Sequence, residues 1–234
     1  MGQGNVLAGH GNPVLLLVIL GAISMAPFLA IMLTSFVKLS IVLSMIKSGL
    51  GTQVPPGQVT SGLAIVLTIF IMTPVAQDMY RASGLENESG EVFNVDNLVK
   101  LLHAADKGKE PMRQFLLKHA HAKDRSLFVS LGDRLAVANG AQPQADTADA
   151  IPRDQEFGVV LPAFVTSELK SAFEVSFLIL IPFLVIDIVV ANVLVALGLS
   201  MIQPATVSLP LKILLFVVAD GWYLIVKGLV LSYA

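Results

Sequence analysis

Four charged side chains stand where charge is costly. Asp187, Lys212, Asp220 and Lys227 interrupt long apolar stretches in the C-terminal third of the chain. An ionised group in an apolar layer needs a partner, a protein-lined cavity or water. If the last two apolar stretches form a hairpin turning near Pro204, Asp187 comes close to the level of Asp220, with Lys227 further along. The first reading is structural ion pairing, within the hairpin or between subunits, since lysines are present to neutralise the carboxylates. The second is a proton or ion path with Asp187 as carrier, which makes the chain a proton-coupled secondary transporter using Asp187 and Asp220. Glu168 and Lys170 belong to the same set of charges at the edge of an apolar run. Lys170 and Glu174 have the i, i+4 spacing of a helical ion pair, and Glu168 points elsewhere.

Other chemistry finds little support. His119 and His121 are two residues apart and cannot share a helix face. The chain has no cysteine, which excludes disulfides, thiolate zinc sites, iron–sulfur ligation and a cysteine nucleophile. No phosphate-binding glycine loop, serine-nucleophile elbow, metalloprotease motif or dinucleotide fingerprint occurs. The expectation is a protein without catalytic residues, metal or cofactor. A net charge of -2 gives no footprint for nucleic acid.

The elements that carry these charges are membrane-like. Of 234 residues, 55% are hydrophobic and 14% charged, and the mean hydropathy is +0.76. Charge is concentrated between Asp78 and Glu174, and only Lys38 and Lys47 precede Asp78. A soluble surface cannot be built from such uncharged stretches. Four apolar stretches follow: Val14 to Val37, about Val59 to Ala76, about Phe173 to Ile202, and Leu209 to Ala234. The first is long enough to cross a hydrocarbon layer of ~30 Å. It lacks a basic start and its core is too long for a signal peptide, so it is expected to be retained. Without cysteine there is no lipidation site of the thioester or thioether kind. Lys38, Lys47 and Lys212 fall in or near the short connections, which places those connections in the cytoplasm and the long polar middle region on the periplasmic side.

Spanning stretches must be helical, because backbone groups in lipid are satisfied only within the segment. Pro27, Pro74 and Pro182 lie inside them and favour kinks. The run from Ser48 to Gln58 reads as a hairpin turn. In the middle region, Asn94 or Asp96 caps a helix through Leu98, Leu101 and Leu102, and Pro111 suits the first turn of the next helix. Met112, Phe115, Leu116 and His119 then share one face, and Leu127, Phe128, Leu131 and Leu135 repeat the spacing. Pro162 opens the helix that enters the third stretch. Trp222 reads as an interfacial anchor or as core. The fold class is all-α, a membrane protein of kinked helical hairpins with a small helical periplasmic insertion. Residues 1–80 form an N-terminal apolar hairpin, 81–157 the polar region with a mobile loop at 139–156, and 158–234 a C-terminal apolar hairpin.

The order of motifs carries a resemblance. Thr34-Ser35-Phe36-Val37-Lys38, Ile41-Val42-Leu43-Ser44, Leu50-Gly51-Thr52-Gln53-Val54-Pro55-Pro56 and Phe70-Ile71-Met72-Thr73-Pro74-Val75 occur in the first half. Leu161-Pro162-Ala163-Phe164, Ser167-Glu168-Leu169, Pro182-Phe183-Leu184-Val185-Ile186-Asp187, Ser208-Leu209-Pro210-Leu211-Lys212 and Asp220-Gly221-Trp222 follow. Together they resemble the export-gate proteins of type III secretion systems, the SctR/FliP family, over nearly the whole chain. The resemblance implies a multi-pass subunit of the bacterial inner membrane and a portal through which unfolded proteins leave the cytoplasm. It implies a pentamer that joins two smaller SctS-like and SctT-like membrane proteins, and a SctU-like switch protein, in a helical, cone-like assembly that seeds a needle or rod. In the family, the loop matching Gly198 to Pro204 carries a run of methionines that seals the closed channel. Here only Met201 remains, so Leu199, Ser200, Met201 and Ile202 are the candidate gate residues. The start of the chain favours the virulence-type injectisome branch, whereas Gly51-Thr52-Gln53 looks flagellar.

Overall fold

The computed structural model describes residues 20–21, 24–25, 27–28, 31–52, 55–84, 95–140, 151–199 and 201–234, with the side chains of 95–106 outside the description. Among them are seven α-helices and no strand. They are α1 (Phe36–Leu50), α2 (Gly57–Ser83), α3 (Val95–His119), α4 (Ala122–Ala138), α5 (Phe157–Ala196), α6 (Pro204–Val218) and α7 (Gly221–Leu231). A single 3-10 turn, Arg153–Gln155, precedes α5.

The longest helix organises the rest. With 40 residues, α5 is about 60 Å long, roughly twice the thickness of a hydrocarbon layer. It packs against α1, α3, α4 and α6. The facing stripe of α1 is Leu39, Val42, Leu43 and Ile46, spaced i, i+3, i+4, i+7 and almost wholly buried. Opposite it, Val160, Ala163, Phe164 and Ala172 of α5 are fully buried. The hairpin of α1 and α2 forms as the turn composition suggests. Gly51 ends α1 in the left-handed conformation, at φ 72°, where a side chain would be strained.

Two of the prolines sit elsewhere in their helices than expected. Pro74 lies within α2, Pro111 within α3, and Pro162 and Pro182 within α5, and each helix continues through them. Pro111 and Pro162 are therefore interior residues rather than helix openers. One lost backbone bond does not end any of these helices. The true break is after α6. There the chain bends by 61° between α6 and α7, at Asp220. The fourth apolar stretch is thus a broken pair of helices. Among the described residues two helices, α2 and α5, are long and apolar enough to cross a membrane, and α6 with α7 makes a third if the pair is one span. Only 22% and 17% of their most apolar windows are buried within the chain.

The middle region is helical as expected, and it leans on the apolar halves. Phe115 and Leu116 of α3 are buried and Met112 packs beside them. The matching stripe on α4 is only partly covered: Phe128 packs against the core, whereas Leu127, Leu131 and Leu135 are exposed. The last part of the expected loop is tied down. Arg125 reaches Asp154 at 3.5 Å, and Arg153 pairs with Asp133. Part of the first apolar stretch (14–19, 22–23, 26 and 29–30), Gln53 and Val54 of the turn, the Asn94 cap, the side chains of Leu98, Leu101 and Leu102, and loop residues 141–150 lie outside the described residues.

Candidate functional site: two buried charge clusters and an apolar loop

The first cluster joins three helices through Lys212. Ser208 and Lys212 sit one turn apart on α6 and face α5. The Lys212 ammonium donates to Asp187 Oδ2 at 2.6 Å, and the Ser208 hydroxyl donates to Asp187 Oδ1 at 2.6 Å. Lys212 also donates to the carbonyl of Gly49, near the end of α1, at 3.2 Å. Its side chain is 8% exposed, whereas that of Asp187 is 38% exposed. Both carboxylate oxygens and the ammonium are therefore satisfied within the protein, which is what a charge at the edge of an apolar layer requires. Gly49 is small for a reason. A Cβ there would lie 2.0 Å from Leu180 Cδ2 and 3.2 Å from Phe183, so the close approach of α1 to α5 depends on its absence.

The second cluster sits nearer the start of α5. Glu168 is 2% exposed and Lys38 is 6% exposed. Lys38 Nζ is 3.9 Å from Glu168 Oε1 and 4.7 Å from the centre of the Tyr233 ring. The Tyr233 hydroxyl donates to the other Glu168 oxygen. A carboxylate, an ammonium and a phenol thus meet from α5, α1 and the residues after α7. His119 closes the group, with its ring 4.8 Å from that of Phe115 and 4.9 Å from that of Tyr233. Burial, followed by the positive charges of Lys118 and Lys38, pushes the His119 imidazole down to about 4. Next to it Ser167, fully buried, accepts the backbone N–H of His121 at 2.9 Å and donates to Asp124 at 2.6 Å. That bond anchors the first turn of α4 to α5. At the exposed side of α3, the hydrogen bond from Arg113 holds the Glu110 carboxyl below its usual range, with Gln114 adding a second.

The charges singled out from the sequence therefore separate. Asp187 and Lys212 pair, and Glu168 is buried with a partner that the sequence did not suggest. Asp220, Lys227 and Lys170 are exposed. Asp220 holds the bend before α7 at φ 50° and does not meet Asp187; the hairpin register predicted from the turn near Pro204 brings Lys212 there instead. Lys227 lies 5.5 Å over the Tyr223 ring. Among the described residues no ion pair joins Lys170 to Glu174. Lys38, expected in a cytoplasmic connection, is inside α1 and buried. Trp222 packs edge-on against Phe216 while staying 39% exposed.

The loop between α5 and α6 is held open by its backbone. The N–H of Leu199 reaches Leu194 O at 2.9 Å and that of Gly198 reaches Val195 O at 3.0 Å, with Gly198 at φ 73°. These are the two bonds of a Schellman cap, which needs glycine at its left-handed position. Leu199 and Ile202 are 42% and 40% exposed, and Met201 is 98% exposed. Ser200 lies outside the described residues.

The missed residues had weak signals. Lys38 is one of only two charges before Asp78, which marks it as a residue with a structural partner. Ser208, one turn before Lys212, carries no such mark, and nor do Ser167 or Tyr233.

Comparison with known proteins gives a consistent picture. A family model described as the FliP family matches residues 19–229. The chain is 41% identical over 223 residues to a flagellar biosynthetic protein FliP of Bacillus subtilis, covering 95% of this chain and 92% of the relative. It is 40% identical over 222 residues to a Yop proteins translocation protein R of Yersinia pestis, with 93% and 95% covered. It is also 40% identical over 219 residues to a hypersensitivity response secretion protein HrcR of Ralstonia nicotianae, with 93% and 96% covered. Flagellar and virulence relatives match to the same degree.

Proposed function

The chain belongs to the FliP family, and from that premise we propose that it is a core subunit of a type III secretion export apparatus. It forms part of the portal through which unfolded proteins leave the cytoplasm and provides a base for a needle or rod. It sits in the bacterial inner membrane, with α3 and α4 on the periplasmic side. Its partners are further copies of itself, five in the complete ring, two smaller SctS-like and SctT-like membrane proteins, and a SctU-like switch protein. It catalyses no reaction, and the energy for export is supplied elsewhere in the apparatus.

One observation carries the gate reading. The Gly198 cap leaves Leu199, Met201 and Ile202 exposed at the tip of the α5–α6 hairpin, and Met201 is 98% exposed. Large apolar side chains on a loop are costly in water. Arranged around an axis by several copies, they make a deformable seal against ions. The buried Asp187–Lys212 pair stiffens the base of this hairpin, so motion is confined to its tip. The transporter alternative has no support: Asp187 is bound on both oxygens, and Asp220 stands apart from it.

The test has two parts. The native mass of the detergent-extracted chain is measured alone and with the two small apparatus proteins co-expressed. A uniform multi-subunit particle that incorporates them is expected, and a stable monomer indifferent to them overturns the assembly. Ion leak and secretion are then followed in the Leu199→Ala/Met201→Ala variant. Increased leak is expected, and unchanged leak with unchanged secretion removes the loop from the role of seal.

A further inference from the structure

A cleft unrelated to the loop runs along α2, where α3 and the end of the chain pack against it. It has two connected chambers that share Ile71, Pro74 and Tyr233. The larger, about 430 Å³, adds Phe70, Thr73 and Val230 and is almost entirely apolar. The smaller, about 260 Å³, adds Asp78, Gln114, Lys118 and His119 beside Val75, Pro111 and Phe115, and mixes polar with apolar lining. The polarity changes along α2 in step with the helix itself. From Gly57 to Gln77 the helix carries no charge, and its first charges are Asp78 and Arg81. A helix that crosses a membrane places such a boundary at the level of the lipid headgroups. The apolar chamber then lies at the depth of the acyl chains and the polar chamber at the depth of the phosphates.

The charges at the polar end have a definite complement. Lys118 is exposed and belongs to no ion pair among the described residues. Asp78 is 62% exposed, and its nearest cation, Arg81, is 3.8 Å away and 70% exposed, a contact worth little in water. A cation and an anion on opposite helices of one cleft match a ligand with a phosphate and an ammonium a few ångströms apart. An anionic headgroup without an amine meets only Lys118 and is repelled by Asp78. A quaternary ammonium cannot donate a hydrogen bond to the carboxylate. We propose that this cleft binds one phospholipid with a primary-amine headgroup, its acyl chain along Phe70, Ile71 and Thr73, its phosphate on Lys118 and its ammonium on Asp78. His119, held neutral by its surroundings, lines the headgroup chamber without adding charge. The bound lipid fills the gap between α2 and the Tyr233 end of the chain.

The experiment is native mass spectrometry of the full chain in mild detergent, titrated with phosphatidylethanolamine, phosphatidylglycerol or phosphatidylcholine of the same acyl chains. The expected result is one tightly held phosphatidylethanolamine, at least tenfold tighter than the other two. Lys118→Glu and Asp78→Lys each lower that affinity at least tenfold, and the double charge swap restores much of it with the headgroup reversed. Both residues are exposed, so neither change disturbs packing. Thr73→Trp, also at an exposed position, fills the apolar chamber and abolishes retention while leaving the charges in place. Equal retention of phosphatidylglycerol, indifference to both charge reversals, or a wild-type chain that holds no lipid each overturns the proposal. So does an assembled particle in which a helix of another subunit occupies the cleft.

Discussion

Removing Asp187 and removing Lys212 are different operations. Asp187→Asn leaves an ammonium that is 8% exposed with only Gly49 O and neutral groups around it. Lys212→Met leaves a carboxylate that is 38% exposed and can be hydrated. Breaking a buried pair costs about 3–5 kcal/mol when the remaining charge is trapped. Asp187→Asn is expected near the lower end of that range and Lys212→Met well below it, with the double replacement close to neutral. Thermal melts in detergent, followed by helical circular dichroism, check the order. Equal losses in the two single variants would contradict the asymmetry. The second cluster gives a pH prediction. His119 in the folded chain titrates near 4, against about 6.5 when unfolded. Its folded value is the lower one, so the unfolded chain takes up the proton first. Stability conferred by keeping His119 neutral is complete above pH ~6.5, declines as pH falls, and is gone below about 4. His119→Gln should flatten the dependence of the melting temperature on pH across that window while leaving the values at pH 8 nearly parallel.

At the scale of elements, the contacts of α1, α5 and α6 rest on glycine and on one strained residue. Gly49→Ala forces the end of Leu180 aside and separates α1 from α5, at a cost of about 1–3 kcal/mol. Because the Gly49 carbonyl accepts from Lys212, the same change is expected to couple with Lys212→Met in a double-mutant cycle. Asp220 occupies the left-handed region at φ 50° in the bend between α6 and α7. Asparagine is tolerated there, whereas Asp220→Val should lose about 1–2 kcal/mol through backbone strain alone. The neighbouring Gly221 is equally constrained, since a Cβ would come within 2.5 Å of the Phe216 ring. The bend is thus built from an αL aspartate, a glycine and the Phe216–Trp222 contact, whereas Pro210 lies within α6 and is not the hinge.

At the scale of the molecule, one chain leaves most of its apolar surface without a partner. Phe177, Leu178, Ile188 and Val193 of α5, and Leu214 and Val217 of α6, are all more than half exposed. A soluble monomer does not carry such faces. In a membrane assembly they meet lipid or further subunits. The absence of cysteine allows a clean check by labelling single introduced thiols with a membrane-impermeant maleimide. Phe177→Cys and Val193→Cys are expected to react slowly in the assembled particle, while Leu135→Cys on the uncovered face of α4 reacts at least tenfold faster. Equal rates at all three positions would contradict a buried α5 and an aqueous α4. The exposed stripe of Leu127, Leu131 and Leu135 is the middle region's own unfilled face, with helical spacing like the buried stripe of α3.

The sequence by itself determined the class of protein. Long uncharged stretches force helices, and concentration of charge between Asp78 and Glu174 separates the polar region from the apolar halves. The motif order pointed to the family, whose model matches residues 19–229. Periodicity placed Phe115 and Leu116 in the core and, by the same rule, suggested a covered face on α4, of which only Phe128 meets the core. Periodicity states which residues share a face but not what lies opposite. Partners across helices were therefore decided only by the tertiary structure. Asp187 met Lys212 rather than Asp220 because the hairpin register is set by side-chain packing over its whole length. Lys38 was drawn inside because Glu168 and Tyr233, 130 and 195 positions away, converge on it. The prolines of α2, α3 and α5 do not end their helices, since the neighbouring turns keep their own backbone bonds. Local rules are short-range, whereas the energy of a buried charge depends on whichever groups the fold brings within a few ångströms of it.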